Sequence, residues 1–273
     1  MTTKQDLHMH CSYCDGHNTM EEMLISCMKA GLTSIGFSSH AYTGFPFDMA
    51  GMKADRLDSY FEEAKKLREK YNFPVYTGLE YESRTTAGPT GNKDRRCDYA
   101  IGSVHFYEFN GHCTFVDAKL DDYLKNLELY GNPRVLMENY YTELVSFAKR
   151  SDFDIVGHFD LPTKFEESGY MNFLNEKWYR DLALDACDTI CRTGKIFEVN
   201  TGAISRGYKH SFYPADFILR RILGNGASVV ISSDSHRADT VGGFFEDAEA
   251  HLRRLGFKTL AKLTDNGFIE EPL

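Results

Sequence analysis

Histidine and carboxylate side chains, the residue types that bind transition metals, recur in closely similar contexts along this sequence. His8 and His10 end one short apolar segment, and Asp234 and His236 follow another with the same spacing of two residues. Side chains two residues apart on an extended strand point to the same side, so His8 and His10 can bind one cation together. The second pair lies past the end of its segment and can reach two different ions. Neutral imidazoles combined with carboxylates favour zinc, iron or manganese over calcium.

Further candidate ligands each follow another apolar segment. The complete set is His8, His10, His40, Glu80, His105, His158, Asp234 and His236. Eight ligands are too many for one tetrahedral ion that keeps a position open. The set therefore predicts two or three ions, with Glu80 suited to bridge two of them. The alternative for any single histidine is an ordinary hydrogen-bonded core or surface residue, but six such residues in matching positions would require a repeated coincidence.

The elements that must position these residues alternate along the chain. Short apolar runs predict strands at residues 6–10, 34–38, 75–79, 99–103, 154–156, 196–199 and 228–232. Amphipathic segments between them predict helices at residues 20–30, 54–71, 134–150, 176–193, 214–224 and 246–255. Alternation of this kind favours a parallel sheet covered by helices. Seven strands without a dinucleotide-binding glycine motif favour a closed α/β barrel of the TIM type, in which all strand C-termini, and hence all candidate ligands, meet on one face.

Composition and charge narrow the classes of partner. The chain has 273 residues and is expected to form one domain over residues 1–273, with a formal net charge of −9. Such a surface favours neither non-specific nucleic-acid binding nor an anionic membrane. No apolar stretch reaches the roughly 18 residues of a membrane span, and no apolar signal segment opens the sequence, so we expect a cytoplasmic protein. The seven scattered cysteines do not suggest a disulfide framework.

The opening segment from Asp6 to Gly16 contains a His-x-His motif followed by a turn with Asp15. It resembles the first motif of the polymerase and histidinol phosphatase family of metal-dependent phosphoesterases, and the similarity extends to about His236. The resemblance implies a distorted seven-stranded (β/α) barrel with three divalent metal ions. The ligands it implies are His8, His10, Glu80 and Asp234 for the first ion, Glu80, His105 and His158 for the second, and Asp15, His40 and His236 for the third.

Two residues of the first loop compete for the third ion. Some members of the family use histidine where others use aspartate, so His17 is the alternative to Asp15. If Asp15 is the ligand, His17 is expected to contact the substrate or to protonate the leaving group.

The segments around His105 and His158, and the Glu198-Val199-Asn200-Thr201-Gly202 pattern ahead of Arg206, resemble the histidinol-phosphate phosphatase branch of the family. This resemblance implies hydrolysis of L-histidinol phosphate, a small-molecule phosphomonoester of histidine biosynthesis. Asp234 is then a charged ligand beside the nucleophile, and Arg206 suits bidentate binding of the phosphate. The alternatives are a phosphoesterase of the same fold that acts on another phosphomonoester or on nucleic-acid ends, and a non-enzymatic metal-binding barrel.

The proposed substrate also carries an ammonium group and an imidazole, so the site should offer carboxylates that do not bind metal. Three acids near predicted strand ends are candidates, namely Glu82, Asp117 and Asp160. The sequence leaves open which of them contacts the substrate amine. The oligomeric state is open as well.

Overall fold

The computed structural model describes residues 4–84, 93–117, 119–169 and 173–273. Its strands, in chain order, are β1 (Gln5–Asp6), β2 (Ser34–Phe37), β3 (Val75–Glu82), β4 (Tyr99–Ser103), β5 (Phe106–Phe109), β6 (His112–Phe115), β7 (Ile155–Val156), β8 (Ile196–Asn200), β9 (Val229–Ser232), β10 (Thr259–Thr264) and β11 (Gly267–Pro272). Its helices are α1 (Met20–Lys29), α2 (Leu57–Tyr71), α3 (Leu120–Tyr130), α4 (Pro133–Arg150), α5 (Lys177–Cys191), α6 (Gly202–Ser205), α7 (Asp216–Gly224) and α8 (Phe245–Leu255). Single 3-10 turns occur at Ala54–Arg56, Leu161–Thr163, Glu166–Ser168 and Ala238–Thr240.

Seven of the strands form one parallel sheet in the order β1-β2-β3-β4-β7-β8-β9. The first and last strands meet through a parallel bridge between Met9 and Ser235, where His10 N donates to Ser235 O at 2.8 Å. The sheet is thereby nearly closed into a barrel, and the predicted α/β barrel is confirmed. Because the strands are parallel, their C-terminal ends share one rim.

Apolar side chains fill the barrel and seal its lower end. One buried cluster contains Leu7, Tyr76, Tyr99, Ile101, Ile155, Ile196, Val230, Ala261 and Leu263. Strands on opposite sides of a barrel can meet only through its interior, so this cluster lies inside. Ala261 and Leu263 come from β10, which places the hairpin of β10 and β11 against the barrel. The larger core lies between the sheet and the surrounding helices.

Local sequence signals explain where the first helix begins. The Thr19 hydroxyl accepts a hydrogen bond from Glu22 N at 3.2 Å, while the Glu22 carboxylate accepts one from Thr19 N at 2.8 Å. This reciprocal capping box satisfies two backbone donors at the start of α1. It also fixes the end of the loop that leads from β1 into the helix.

The structure differs from the predicted elements at the start of the barrel rim and in two additional hairpins. Regular pairing of β1 ends at Asp6, so His8 and His10 lie past the strand rather than within it. The hairpins β5–β6 and β10–β11 were not predicted. They do not follow the strand–helix alternation on which the prediction depended. No helix among the described segments is long and apolar enough to cross a membrane.

Candidate metal centre and active site

Four candidate ligands, in β3 or just past the ends of β1 and β9, surround one point at the rim. His8 Nε2 lies 3.3 Å from Glu80 Oε2 and 3.6 Å from Asp234 Oδ1. His10 Nε2 lies 3.4 Å from each of the same two oxygens. A tetrahedral ion with bonds of about 2.0–2.1 Å holds its ligand atoms about 3.3 Å apart. The spacing of the four side chains therefore fits ligands of one cation.

Glu80 faces a second group of imidazoles with its other oxygen. Oε1 lies 3.1 Å from His158 Nε2 and 3.4 Å from His105 Nε2. The carboxylate also accepts a hydrogen bond from Ser103 Oγ at 2.6 Å, which fixes its orientation. With one oxygen toward each group, Glu80 has the geometry of a bridging ligand.

A third group gathers around Asp15 in the loop before α1. Asp15 Oδ1 lies 3.4 Å from His236 Nε2 and 3.7 Å from His40 Nε2. Together with His10 these residues form a set whose ligand atoms all lie within 4.8 Å of one another. His17 belongs to none of the candidate metal groups found among the described residues; its side chain is exposed and its backbone N–H donates to His236 O. The arrangement favours Asp15 over His17 as the third-site ligand.

Unpaired buried nitrogens indicate that the centre is built for cations. The Nε2 atoms of His8 and His10 are completely buried and make no hydrogen bond. A buried polar atom without a partner costs about 1–3 kcal/mol. A divalent ion would satisfy both nitrogens at once, so the residues present fit the metal centre that the sequence predicts.

Two carboxylates behind the centre orient its histidines. Glu198 Oε1 lies 2.5 Å from His8 Nδ1, and Glu82 Oε2 lies 3.0 Å from His105 Nδ1. A proton held on Nδ1 leaves the Nε2 lone pair of each ring free to bind metal. Glu198 also accepts a hydrogen bond from His158 N at 2.7 Å. The sequence interpretation missed this role of Glu198, although a carboxylate within a predicted buried strand was a signal that it has a partner.

Burial and neighbouring charged groups set the ionisation states of the side chains in this centre. Burial opposes ionisation of Glu80, but the surrounding histidines outweigh it and hold the pKa of its carboxyl well below the usual range. Burial acts likewise on Asp234, yet Arg206 and nearby imidazoles keep its pKa low as well. Burial and the neighbouring histidines together lower the pKa of His10 to about 3. Ionised carboxylates and a neutral imidazole are the states in which these groups bind a cation.

Arg206 reaches the centre from the end of α6. Its Nη1 donates to Asp234 O at 2.8 Å and its Nη2 to Asp234 Oδ2 at 2.9 Å. Asp234 has a positive φ of 50°, which is uncommon outside glycine. The paired contacts from Arg206 and a third from Asn200 Nδ2, at 3.3 Å, stabilise that conformation. The guanidinium has five N–H donors and uses two here, so it can still bind an oxyanion.

A cavity of about 510 Å³ opens above the candidate ligands. Its wall includes seven of the nine candidate ligands, all except the buried His8 and His10, together with Arg206 and His17. It continues past three phenylalanines, Asp117, Lys164 and Tyr208. The volume is in the range of sites for small molecules. The predicted catalytic residues and most of the predicted metal ligands thus share one cavity.

The three acids expected to contact a substrate amine lie in different places. Asp160 is completely buried, accepts a hydrogen bond from Ala215 N, and is not part of the cavity wall. Glu82 borders the cavity, but its carboxylate accepts hydrogen bonds from the backbone and ring of His105. The position of Asp160 therefore disfavours a contact with substrate, and the Glu82 carboxylate already binds His105. Asp117 lines the cavity with a 42% exposed side chain, and its Oδ1 accepts a hydrogen bond from Lys164 Nζ at 2.5 Å.

Comparisons with known proteins show which family and which fold this chain shares. The model of the PHP domain family matches residues 6–202. The probable histidinol-phosphatase of Deinococcus radiodurans is 28% identical over 268 residues, covering 95% of this chain and 96% of that protein. The histidinol-phosphatase of Bacillus subtilis is 25% identical, covering 89% and 97%. A crystal structure of histidinol phosphate phosphatase from Lactococcus lactis, complexed with zinc, L-histidinol and phosphate, superposes with a TM-score of 0.75 at 19% identity over 98% of this chain and 99% of that one. The last similarity shows a shared fold.

Proposed function

Because this chain belongs to the PHP domain family, we propose that it is a metal-dependent phosphatase that hydrolyses L-histidinol phosphate to L-histidinol and phosphate. The observation that carries the proposal is the sharing of Glu80 between groups of metal-ligand atoms in one cavity with Arg206. The full-length similarity to histidinol-phosphatases supports the choice of substrate.

The proposed cofactors are three divalent ions of zinc, manganese or iron. The first would be held by His8, His10, Glu80 and Asp234, the second by Glu80, His105 and His158, and the third by Asp15, His40 and His236. Divalent ions in this position supply Lewis-acid chemistry, since they neutralise phosphoryl oxygens and lower the pKa of a bound water. A covalent phosphoenzyme is not required.

The chain's own residues would orient and neutralise the phosphate. Arg206 has free N–H donors beside Asp234 and would bind the phosphoryl oxygens in the planar, bidentate manner that guanidinium groups favour. His17 lines the same cavity with an exposed ring and is the proposed proton donor to the leaving alkoxide.

The ammonium of the substrate requires an acceptor in the same cavity. We assign this role to Asp117, because Asp160 lies outside the wall and the Glu82 carboxylate is occupied by His105. Asp117 uses only Oδ1 in its contact with Lys164, which leaves Oδ2 for the substrate.

Steady-state kinetics on two substrates test the proposal. The wild-type protein should prefer L-histidinol phosphate to 4-nitrophenyl phosphate by more than about tenfold in kcat/KM, because the aryl phosphate lacks the ammonium that Asp117 would bind. Asp117→Asn should remove most of that preference and lower aryl phosphate turnover far less. Asp121→Asn, an exposed acid on α3, is the matched control and should keep the preference. Equal kcat/KM of the wild type on both substrates would contradict the proposed specificity and indicate a general phosphomonoesterase.

A further inference from the structure

We infer that Phe47, Phe106 and Phe115 form a subsite for a planar heteroaromatic ring on the leaving group of the substrate. The inference rests on the proposed function and extends it to the imidazole. The three rings line the same cavity as the metal centre. They come from two elements, the loop of residues 41–53 after β2 and the hairpin of β5 and β6.

The three rings form a continuous wall. The centroid of Phe47 lies 5.4 Å from that of Phe106 and 5.6 Å from that of Phe115, nearly perpendicular to both. Phe106 and Phe115 are 5.6 Å apart. Rings set at right angles present a face and an edge to the same space, and aromatic ligands pair with both.

The exposure of these rings distinguishes them from ordinary core packing. Phe106 is buried, but Phe47 is 39% and Phe115 38% exposed. Of the eight large apolar side chains exposed among the described residues, Phe47, Met49 and Phe115 all border this one cavity. Apolar surface gathered in a cavity with a few polar groups is typical of a ligand site. The exposed faces therefore point to an apolar part of the ligand.

Neighbouring residues place this wall beside both the metal centre and the proposed amine acceptor. Phe106 follows directly after His105 of the metal centre, and Asp117 lies two residues after Phe115. In histidinol phosphate the ammonium-bearing carbon separates the phosphate from the imidazole. A ring bound on the phenylalanine wall would therefore leave the ammonium near Asp117 and the phosphate near Arg206.

The test replaces rings by aliphatic side chains of similar bulk, in Phe47→Leu and Phe115→Leu. Kinetics are measured on L-histidinol phosphate and on O-phosphoethanolamine, which has the phosphate and the ammonium but no ring. We expect each variant to lower kcat/KM for L-histidinol phosphate about 3- to 10-fold, mainly through KM, since one aromatic pair has roughly that effect. For O-phosphoethanolamine the change should stay below about twofold.

The control is Phe109→Leu on the same hairpin, whose ring packs on Tyr130 outside the cavity wall; it should leave the ratio of the two efficiencies unchanged. Equal losses on both substrates, or none, would overturn the subsite. A wild type inactive on L-histidinol phosphate would instead contradict the proposed function. In that case phenyl phosphate and ethyl phosphate are used as the substrates with and without a ring. A loss of kcat/KM in the leucine variants for phenyl phosphate alone would support the aromatic subsite. An equal loss for both substrates would overturn it.

Discussion

At the scale of the residue, Arg206 connects the phosphate site to the metal centre. The sequence interpretation treats Arg206 as a phosphate-binding group alone. The structure adds two hydrogen bonds to Asp234, a proposed metal ligand with left-handed backbone. The two roles are therefore coupled, because the same guanidinium positions a ligand and faces the cavity.

Replacing Arg206 should consequently affect both catalysis and metal binding. Arg206→Ala should lower kcat/KM by roughly 10- to 100-fold, since a charge-assisted hydrogen bond contributes about 1.5–3 kcal/mol. It should also weaken metal binding, because Asp234 loses two contacts. Arg206→Lys should not restore the rate, as an ammonium cannot bind bidentately. Kinetics and metal affinity equal to those of the parent would contradict both roles.

The carboxylate of Glu198 controls the tautomer of His8. In Glu198→Gln the amide can accept from His8 Nδ1 or from His158 N, but its NH₂ group must then face the other donor. We expect metal affinity to fall roughly 10- to 100-fold, as measured by competition with a chelator. Glu166→Gln, a buried acid that accepts from Phe173 N and Leu174 N, is the control and should leave metal affinity unchanged. Unaltered affinity in Glu198→Gln would show that the tautomer does not depend on this contact.

The imidazole of His105 gives the metal-free protein a defined pH dependence. Burial lowers its pKa, but Glu80 and Glu82 outweigh burial and raise it from 6.5 to about 9. The folded state therefore holds this proton more tightly than the unfolded state does. The resulting stabilisation is complete below pH 6.5 and is lost as the pH rises to about 9.

The melting temperature of chelator-treated protein should accordingly fall across this pH range, and His105→Gln should remove part of the fall. Metal binding must displace the same proton, so it should release protons at neutral pH, measurable by calorimetry in buffers of different ionisation enthalpy. A flat melting temperature together with proton-free binding would contradict the prediction.

At the scale of the element, the loop between β1 and α1 is fixed by Gly16. A Cβ at this position would lie 2.5 Å from Cys11 N and 2.6 Å from His10 C, which are backbone atoms that cannot move aside. Gly16→Ala should therefore displace the loop that carries Asp15, destabilise the fold by about 1–3 kcal/mol and reduce metal content. Chemical denaturation and elemental analysis measure these effects.

The matched control is Gly224→Ala at the end of α7, where an added Cβ meets no atom within 4 Å. That variant should be neutral or more stable, because alanine is the better helix former. Equal stability of the two variants would mean that the first loop tolerates the displacement.

The sequence predicted the barrel strands well because each follows a repeated pattern. Apolar runs such as β4, Tyr99–Ser103, were located to the residue, and the resemblance on which the family was expected is confirmed by the PHP domain match. The hairpin β5–β6 was missed because its strands carry exposed polar residues and lie outside the alternation. Hydrogen bonds between side chains of different strands, such as that of Glu82 with His105, depend on tertiary geometry. The spacing of residues along the sequence does not encode that geometry. The substrate-facing wall was therefore the least predictable part of the site.

At the scale of the whole molecule, an acidic chain must bind a phosphate dianion. With a net charge of −9, the protein has little long-range attraction for anions. Local cations must therefore offset the repulsion between the acidic protein and the phosphate. The cavity offers Arg206, Lys164 and the candidate metal centre. The same charge balance disfavours a nucleic-acid substrate, for which an extended basic surface is typical.

The central claim, a trinuclear centre that hydrolyses a phosphomonoester, is tested most directly by titrating metal-free protein with zinc or manganese. Phosphate release from L-histidinol phosphate is followed together with the metal content of each sample. Three ligand groups that share Glu80 and His10 predict that activity is absent without metal and returns fully only as the content approaches three ions per chain. Fully active protein that holds one ion per chain or none would contradict the claim.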